Sequence, residues 1–331
     1  MSIAANSLIQ SSQPSPAPDP PLPAAESPDR AALRLVPARH PGRWFASLAA
    51  LVLVAQFGHA LVTNPGLDWS TFGHYFFSDS VLQGVWLTLQ LTFLSALAGF
   101  ALGIVLAFMR LSRSPLLQIT AYGYIWLVRS VPLLVQVLFW FNISYLYARL
   151  QIGVPFGPGF FSFSTTSLLG AMSAAVLALS LNEAAYAAEI VRSGVIAVDQ
   201  GQLEAAAALG IPRLRQLQRI ILPQAMRSIL PNAANQLISL FKGTSIVSVM
   251  AISELFYTVQ VIYGRTTRVV PMLLVATVWY ILLTTVLSIF QYYVERHFSK
   301  GATRSLPPTP LQKIRGSLRN LRAAAAEGAL R

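Results

Sequence analysis

Apolar residues in this chain fall into long, nearly unbroken blocks, not the alternating or every-third patterns of a half-buried strand or a water-facing helix. The blocks lie at residues 44–63, 81–109, 116–147, 168–190, 232–252 and 269–294. Each reaches the ~20 residues that a helix needs to cross the hydrocarbon core. The pattern therefore predicts six membrane-crossing helices, five of them in a core and one extra at the amino end. The third block is too long for one straight span and holds Arg129 and Pro132, which predicts an interfacial helix leading into a kinked crossing.

The segments outside the blocks differ in kind. Residues 1–43 carry Pro14, Pro16, Pro18, Pro20, Pro21 and Pro23 in close succession, the mark of a disordered or polyproline leader. The block that follows also reads as the apolar part of a signal peptide, with Gly58 and Ala60 near a cleavage point; the long leader favours an anchor, because positive n-regions are short. Residues 299–331 form a basic tail in which Lys313, Arg315, Arg319 and Arg322 alternate with Leu311, Ile314, Leu318 and Leu321. That tail reads equally as a helix on an anionic leaflet or as a solvated run of charge.

Composition agrees with a membrane class: 54% of the 331 residues are hydrophobic and 11% are charged. A soluble fold of this size could not cover its surface with so few charges. The net charge of +12 points away from nucleic acid, because the basic residues flank apolar blocks and form no patch with interleaved aromatics. They report topology instead. With the amino terminus inside, the internal loops hold seven basic residues (Arg110, Arg113, Arg192, Arg213, Arg215, Arg219, Arg227) against three outside (Arg149, Arg265, Arg268). Basic residues are retained on the cytoplasmic side, so both termini are expected there.

Enzymatic chemistry finds little footing. The chain has no cysteine, and His40, His59, His74 and His297 show no metal-ligand spacing. No G-x-x-x-x-G-K-[ST] phosphate cradle occurs, so ATP hydrolysis of the P-loop kind belongs to another chain. No cofactor is expected on this one.

The longest internal connection, residues 192–231, has helix-forming content. Residues 202–209 are dense in Ala, Leu and Glu; Gly210 ends that helix and Pro212 opens the next. In the second helix Leu214, Leu217, Ile220 and Ile221 make an apolar stripe, with Arg213, Arg215 and Arg219 elsewhere. Periodicity alone leaves two readings: a helix lying along the membrane surface, or one that fills a partner's groove.

Within it, Glu204, Ala205, Ala206, Gly210, Ile220, Leu222 and Pro223 fit the spacing E-A-A, three residues, G, nine residues, I, one residue, L-P. This resembles the EAA loop of the membrane subunits of bacterial ABC importers. The resemblance implies a type I ABC permease helical bundle at residues 81–295 whose loop docks on an ATP-binding subunit. It further implies two such subunits carrying ATP and Mg, a second permease subunit, identical or related, a periplasmic binding protein, and a place in the bacterial inner membrane. Residues 124–136 (YIWLVRSVPLLVQ), 181–192 (LNEAAYAAEIVR) and 201–210 (GQLEAAAALG) look like the subfamily importing histidine, glutamine, glutamate, arginine and opines. The chain departs from that subfamily at Lys242, Gly243, Thr244, Ser245 and Ile246, where an aspartate commonly follows the lysine.

Arg129, Glu183 and Lys242 fall inside predicted spans, where a charge costs ~2.5–3.5 kcal/mol on insertion scales. They are expected to face the bundle interior or a wet path. A zwitterionic substrate offers a carboxylate for Arg129 and an ammonium for Glu183; mutual pairing of the two is the alternative. Glu189 and Arg192, at i and i+3, form a local pair. An ion-coupled secondary transporter or channel using the same three charges is the rival function.

Overall fold

The computed structural model of the protein describes residues 41–154 and 159–298, together with Gly316 and Arg319. Nearly all of the proline-rich leader, and the basic tail with Lys313, Arg315 and Arg322, lie outside the described residues. The chain divides into two units, Met1–Thr63 and Asn64–Arg331. The first contributes α1 (Pro41–Thr63), apolar on every side, with Leu51, Val54 and Phe57 exposed. At 1.5 Å per residue its 23 residues span about 35 Å, enough for a hydrocarbon core of ~30 Å.

The second unit opens on a short helix, α2 (Trp69–Phe76), and then the long α3 (Asp79–Leu111). Asp68 caps α2 by accepting the Thr71 N–H, and Phe76 stacks on Trp279 with ring centroids 5.1 Å apart. The third predicted span is two helices, α4 (Pro115–Ser130) and α5 (Leu133–Phe141), bent by 103°. Pro132 explains the break, since it has no N–H to donate to Val128 and disfavours helical backbone at Val131. Gln136 repairs the loss: its amide donates to the Val128 and Val131 carbonyls, each at 2.7 Å.

After α5 come a single turn, α6 (Ile143–Leu146), and an antiparallel hairpin of β1 (Arg149–Gly153) and β2 (Gly159–Ser164). The pattern of apolar blocks predicts no strands here. A further turn, α7 (Thr165–Leu168), leads into α8 (Ala171–Ile196), the fourth span, which runs six residues beyond its predicted end. One end of α8 adjoins the hairpin and the other adjoins the EAA-type loop, so these two features lie at opposite membrane faces.

Helix α8 packs most extensively on α3. The contact is made of small residues: a Cβ placed at Gly103 would lie 2.5 Å from the Ala187 Cβ, and one at Gly99 would lie 2.6 Å from the Glu183 Cβ. Lipid tails are as apolar as leucine, so helix pairs in a membrane are held by close van der Waals contact of this kind.

The loop holds α9 (Gln200–Ala208), α10 (Arg213–Gln216) and a π-turn at Leu217–Ile221 that runs directly into α11 (Leu222–Gly243). This corrects the fifth span, expected at 232–252. The helix starts ten residues earlier and passes through Pro231. It then tightens to a 3-10 helix at Thr244–Met250, before Ala251 takes a left-handed conformation (φ 56°). An unpredicted helix, α12 (Leu255–Thr266), follows at a 46° bend. Its orphan N–H groups are met inside the bundle by Glu254, which is fully buried. The carboxylate accepts from Phe256 N–H (2.9 Å) and Tyr257 N–H (2.7 Å), while Leu255 N–H goes to the Thr88 hydroxyl (3.1 Å). The last span is α13 (Val269–Phe298). By length and composition α1, α3, α8 and α13 can cross a membrane alone, and counting each bent pair as one span brings the crossings to six.

Candidate functional site

The loop shows why its sequence has that spacing. Asp199 starts α9 by accepting the Gln202 N–H at 3.0 Å. At the other end Gly210 adopts φ +65°, its N–H reaches the Ala207 carbonyl (3.0 Å), and the Ile211 N–H reaches that of Ala206 (3.1 Å). That pair of bonds is a Schellman cap, and it needs a residue without Cβ strain in the left-handed position. Gln224 donates to Gln202 at 2.6 Å, fastening α9 to α11.

Of the residues picked out in this loop, Glu204, Ala205, Gly210, Leu222 and Pro223 are exposed, Ile220 is half-buried, and Ala206 is buried against its own chain. The four-residue apolar stripe holds for Leu217, Ile220 and Ile221, which are half-buried, but Leu214 is exposed. Leu214 lies in α10, before the π-turn, and the turn takes the residues after it out of the regular 3.6-residue count on which the four-residue stripe rests. Leu209, Leu214 and Leu222 are exposed apolar residues of the loop. Leu209 was missed because, placed at the end of α9, it belongs to no periodic stripe.

The second feature is a cavity of about 530 Å³ between the α4–α5 break, α8 and α11. Arg129 and Glu183 both line it, with Asn182, Tyr186, Gln236 and Ser239. They form no ion pair with each other; among the described residues the ion pairs are Arg110–Glu189, Arg192–Glu189 and Arg268–Asp68. Arg129 lies in the last turn of α4, where its charge complements the helix dipole, and its guanidinium packs over the Tyr186 ring at 5.3 Å. Glu183 is 1% exposed: one carboxylate oxygen accepts from the Gln236 amide at 3.0 Å, and the other, buried, has no hydrogen-bond partner. Lys242 is exposed on α11 and is not among the residues lining the cavity. It ends a polar stripe, Asn232, Asn235, Ser239 and Lys242, that runs along one exposed side of α11.

A smaller cavity of about 390 Å³ shares Arg129, Ser130 and Tyr186 and extends toward Arg110 and Glu189. There Glu189 receives two hydrogen bonds from Arg192 (2.8 and 3.0 Å) and stands 3.8 Å from Arg110. The expected local pair is present as part of a three-residue cluster. Chemically the larger cavity offers a planar cation, an under-satisfied buried carboxylate, amide groups and the hydroxyls of Ser130 and Ser239.

Comparison with known proteins finds three kinds of likeness. The family described as binding-protein-dependent transport system inner membrane component matches residues 99–300. The arginine transport system permease protein ArgU of Corynebacterium glutamicum is 41% identical over 302 residues, 89% of each chain. The nopaline transport system permease protein NocM of Agrobacterium fabrum is 38% identical over 208 residues, 63% of this chain and 83% of that one. Among solved structures, an amino acid ABC transporter matches with a TM-score of 0.57 at 32% identity, covering 66% of this chain and 94% of that one.

Proposed function

This chain belongs to the binding-protein-dependent transport system inner membrane components, and from that premise we propose that it is the permease subunit through which a polar amino acid crosses a bacterial inner membrane. The observation that carries the reading is the cavity: Glu183, which has one buried carboxylate oxygen without a partner, lines the same space as Arg129. An α-amino acid presents an ammonium for the first and a carboxylate for the second, and a guanidinium suits a carboxylate because both are planar forks.

Energy comes from elsewhere. One of two ATP-binding subunits, each with ATP and Mg, docks on the cytoplasmic loop of this chain through Glu204, Ala205, Gly210, Leu222 and Pro223, with Ala206 and Ile220 holding the shape from behind. Because α10 and the π-turn continue into α11, a push on the loop is delivered to the helix that lines the cavity with Gln236 and Ser239. Alternating access follows as a shift between two bundle arrangements. The polar stripe of α11 requires water or protein beside it, since lysine in lipid costs ~2.5–3.5 kcal/mol at a span centre. A second permease subunit, identical or related, supplies that wall. A soluble amino-acid-binding protein delivers substrate on the far side, and both termini of this chain are cytoplasmic.

The test is uptake of radiolabelled arginine into vesicles that hold this chain with its ATP-binding subunit and the binding protein. Uptake is expected only when Mg·ATP is present on the loop side. Uptake that persists on an imposed ion gradient without the ATPase would overturn the reading in favour of a secondary transporter.

A further inference from the structure

The hairpin between α6 and α7 is two-faced. Its register pairs Leu150 with Phe163 and Ile152 with Phe161, and pairs Arg149 with Ser164 and Gln151 with Ser162. Side chains alternate across a strand, so the first two pairs make one apolar face and the last two make one polar face, up to the register irregularity at Ile152/Gly153, where Phe160 is a further exposed apolar residue at the tip. The apolar face is uncovered: Ile152 is 62% exposed and Phe161 65%. A lone two-stranded hairpin is marginal in water unless something covers such a face.

We propose that the apolar face of this hairpin rests on the lipid headgroup and acyl boundary, making it a surface anchor at the membrane face opposite the EAA-type loop. Three observations select lipid as the occupant. The hairpin continues directly from lipid-level structure: α5 ends a span, and the residues after it, Tyr145, Leu146 and Tyr147, are all exposed, with Tyr145 at 87%. Tyrosines in that position mark the boundary between headgroups and hydrocarbon. The hairpin is also pinned there, because the Thr165 N–H donates to the Ala148 carbonyl at 3.1 Å, the Thr165 hydroxyl donates to the Tyr147 carbonyl, and Thr165 is fully buried. Five residues at ~3.3 Å each give a reach of about 17 Å, too short to leave the surface zone. Charge is sorted to match: Arg149, at the base and on the polar face, is the one charged residue of the two strands and is placed to meet a phosphate.

A sheet edge cannot enter hydrocarbon, where its free N–H and C=O groups find no partner. The hairpin therefore lies on the membrane with its edges in the wet headgroup layer and the side chains of Leu150, Ile152, Phe161 and Phe163 pointing down. Such an anchor holds the hairpin ends of α5 and α8 at a fixed depth while the loop ends move. The inference goes beyond the transport reading and does not depend on the substrate.

Because the chain has no cysteine, single-cysteine variants of the full chain, assembled with its partners in phosphatidylcholine–phosphatidylglycerol vesicles, give a direct test. Nitroxide labels are placed at Ile152→Cys and Phe161→Cys on one face and at Gln151→Cys and Ser162→Cys on the other. The first two are expected to be shielded from a water-soluble nickel relaxant, open to oxygen and about 5–10 Å below the headgroup surface; the second two are expected to be open to nickel. The positions lie on both strands, so one perturbed variant does not decide the outcome. Nickel access that is equal at all four positions would overturn the proposal. So would shielding of Ile152 and Phe161 that appears only on adding the binding protein, or close dipolar coupling between Phe161 labels of two permease subunits, since each puts protein where lipid is claimed.

Discussion

The two faces of α8 are built from opposite materials. Toward α3 the helix presents Ser180, Ala184, Ala187 and Ala188 to Gly99 and Gly103, close enough that a single added methyl collides. Toward α4 and α11 it presents Asn182, Glu183 and Tyr186 to open space. Glu183 belongs to both: its Cβ is wedged at Gly99 and the residue lines the cavity. The difference teaches how a charge is held in position inside a membrane. Packing of small side chains fixes the backbone, and the fixed backbone aims a polar head group whose own hydrogen bonds are incomplete.

The comparison breaks most easily on its packed side. Gly103→Ala must displace the Ala187 methyl or the helix behind it, and Gly103→Leu must part the two helices; overpacking of this kind costs ~1–3 kcal/mol, occasionally more. The larger variant is expected to lower the melting temperature of the purified protein by the greatest margin of any change considered, or to prevent its assembly. Ala187→Gly removes the opposing methyl, so the pair Gly103→Ala with Ala187→Gly is expected to melt closer to the wild type than Gly103→Ala alone, a coupling that a double-mutant cycle reads. Unchanged melting of Gly103→Leu would show that α3 and α8 do not approach in this way.

The open face should respond in the reverse sense. Glu183→Gln keeps the shape and the bond to Gln236 while removing the charge. A hydrogen bond to a charged group is worth ~1.5–3 kcal/mol, which is about tenfold or more in apparent affinity. Transport is expected to need that much more substrate, whereas melting stays near the wild-type value because no packing is lost. If uptake kinetics in vesicles are unaffected, the Glu183 carboxylate is a structural group, and the contrast between the two faces loses its functional half.

How far this contrast was legible in the sequence differs by side. Arg129 and Glu183 stood out because charge inside an apolar block is expensive, and the EAA-type loop stood out because Gly210 and Pro212 punctuate it in local turn chemistry. The spans at α1, α3, α8 and α13 were legible for the same local reason. The small-residue contact was written as Gly99-x-x-x-Gly103, yet its meaning depends on which helix lies opposite, a tertiary fact. Gln136 as a plug for the Pro132 break and Glu254 as a buried cap were hidden likewise: each looks like an ordinary polar residue until the orphaned backbone groups beside it are seen. The hairpin was legible in principle, because Leu150, Ile152, Phe161 and Phe163 alternate with Gln151 and Ser162 at period two. The apolar blocks on either side drew that stretch into a loop.

A clasp remote from α8 calibrates both outcomes and has the smallest expected effect. Asp68 is held down to about 2 by hydrogen bonds from the Thr71 and Ser70 hydroxyls and the Thr71 N–H, with Arg268 adding attraction at 2.9 Å. Its folded pKa lies below its ordinary value of 3.8, so its contribution is present above that value and is lost as pH falls toward 2. The melting difference between wild type and Asp68→Asn is therefore expected to be small, flat from neutral pH down to about 5, and to vanish by about pH 2. Uptake at neutral pH should be untouched, since the clasp ties the start of α2 to the start of α13 and borders neither face of α8. A difference that instead grows on acidification would mean that Asp68 is destabilised by its surroundings, contrary to the capping geometry at α2.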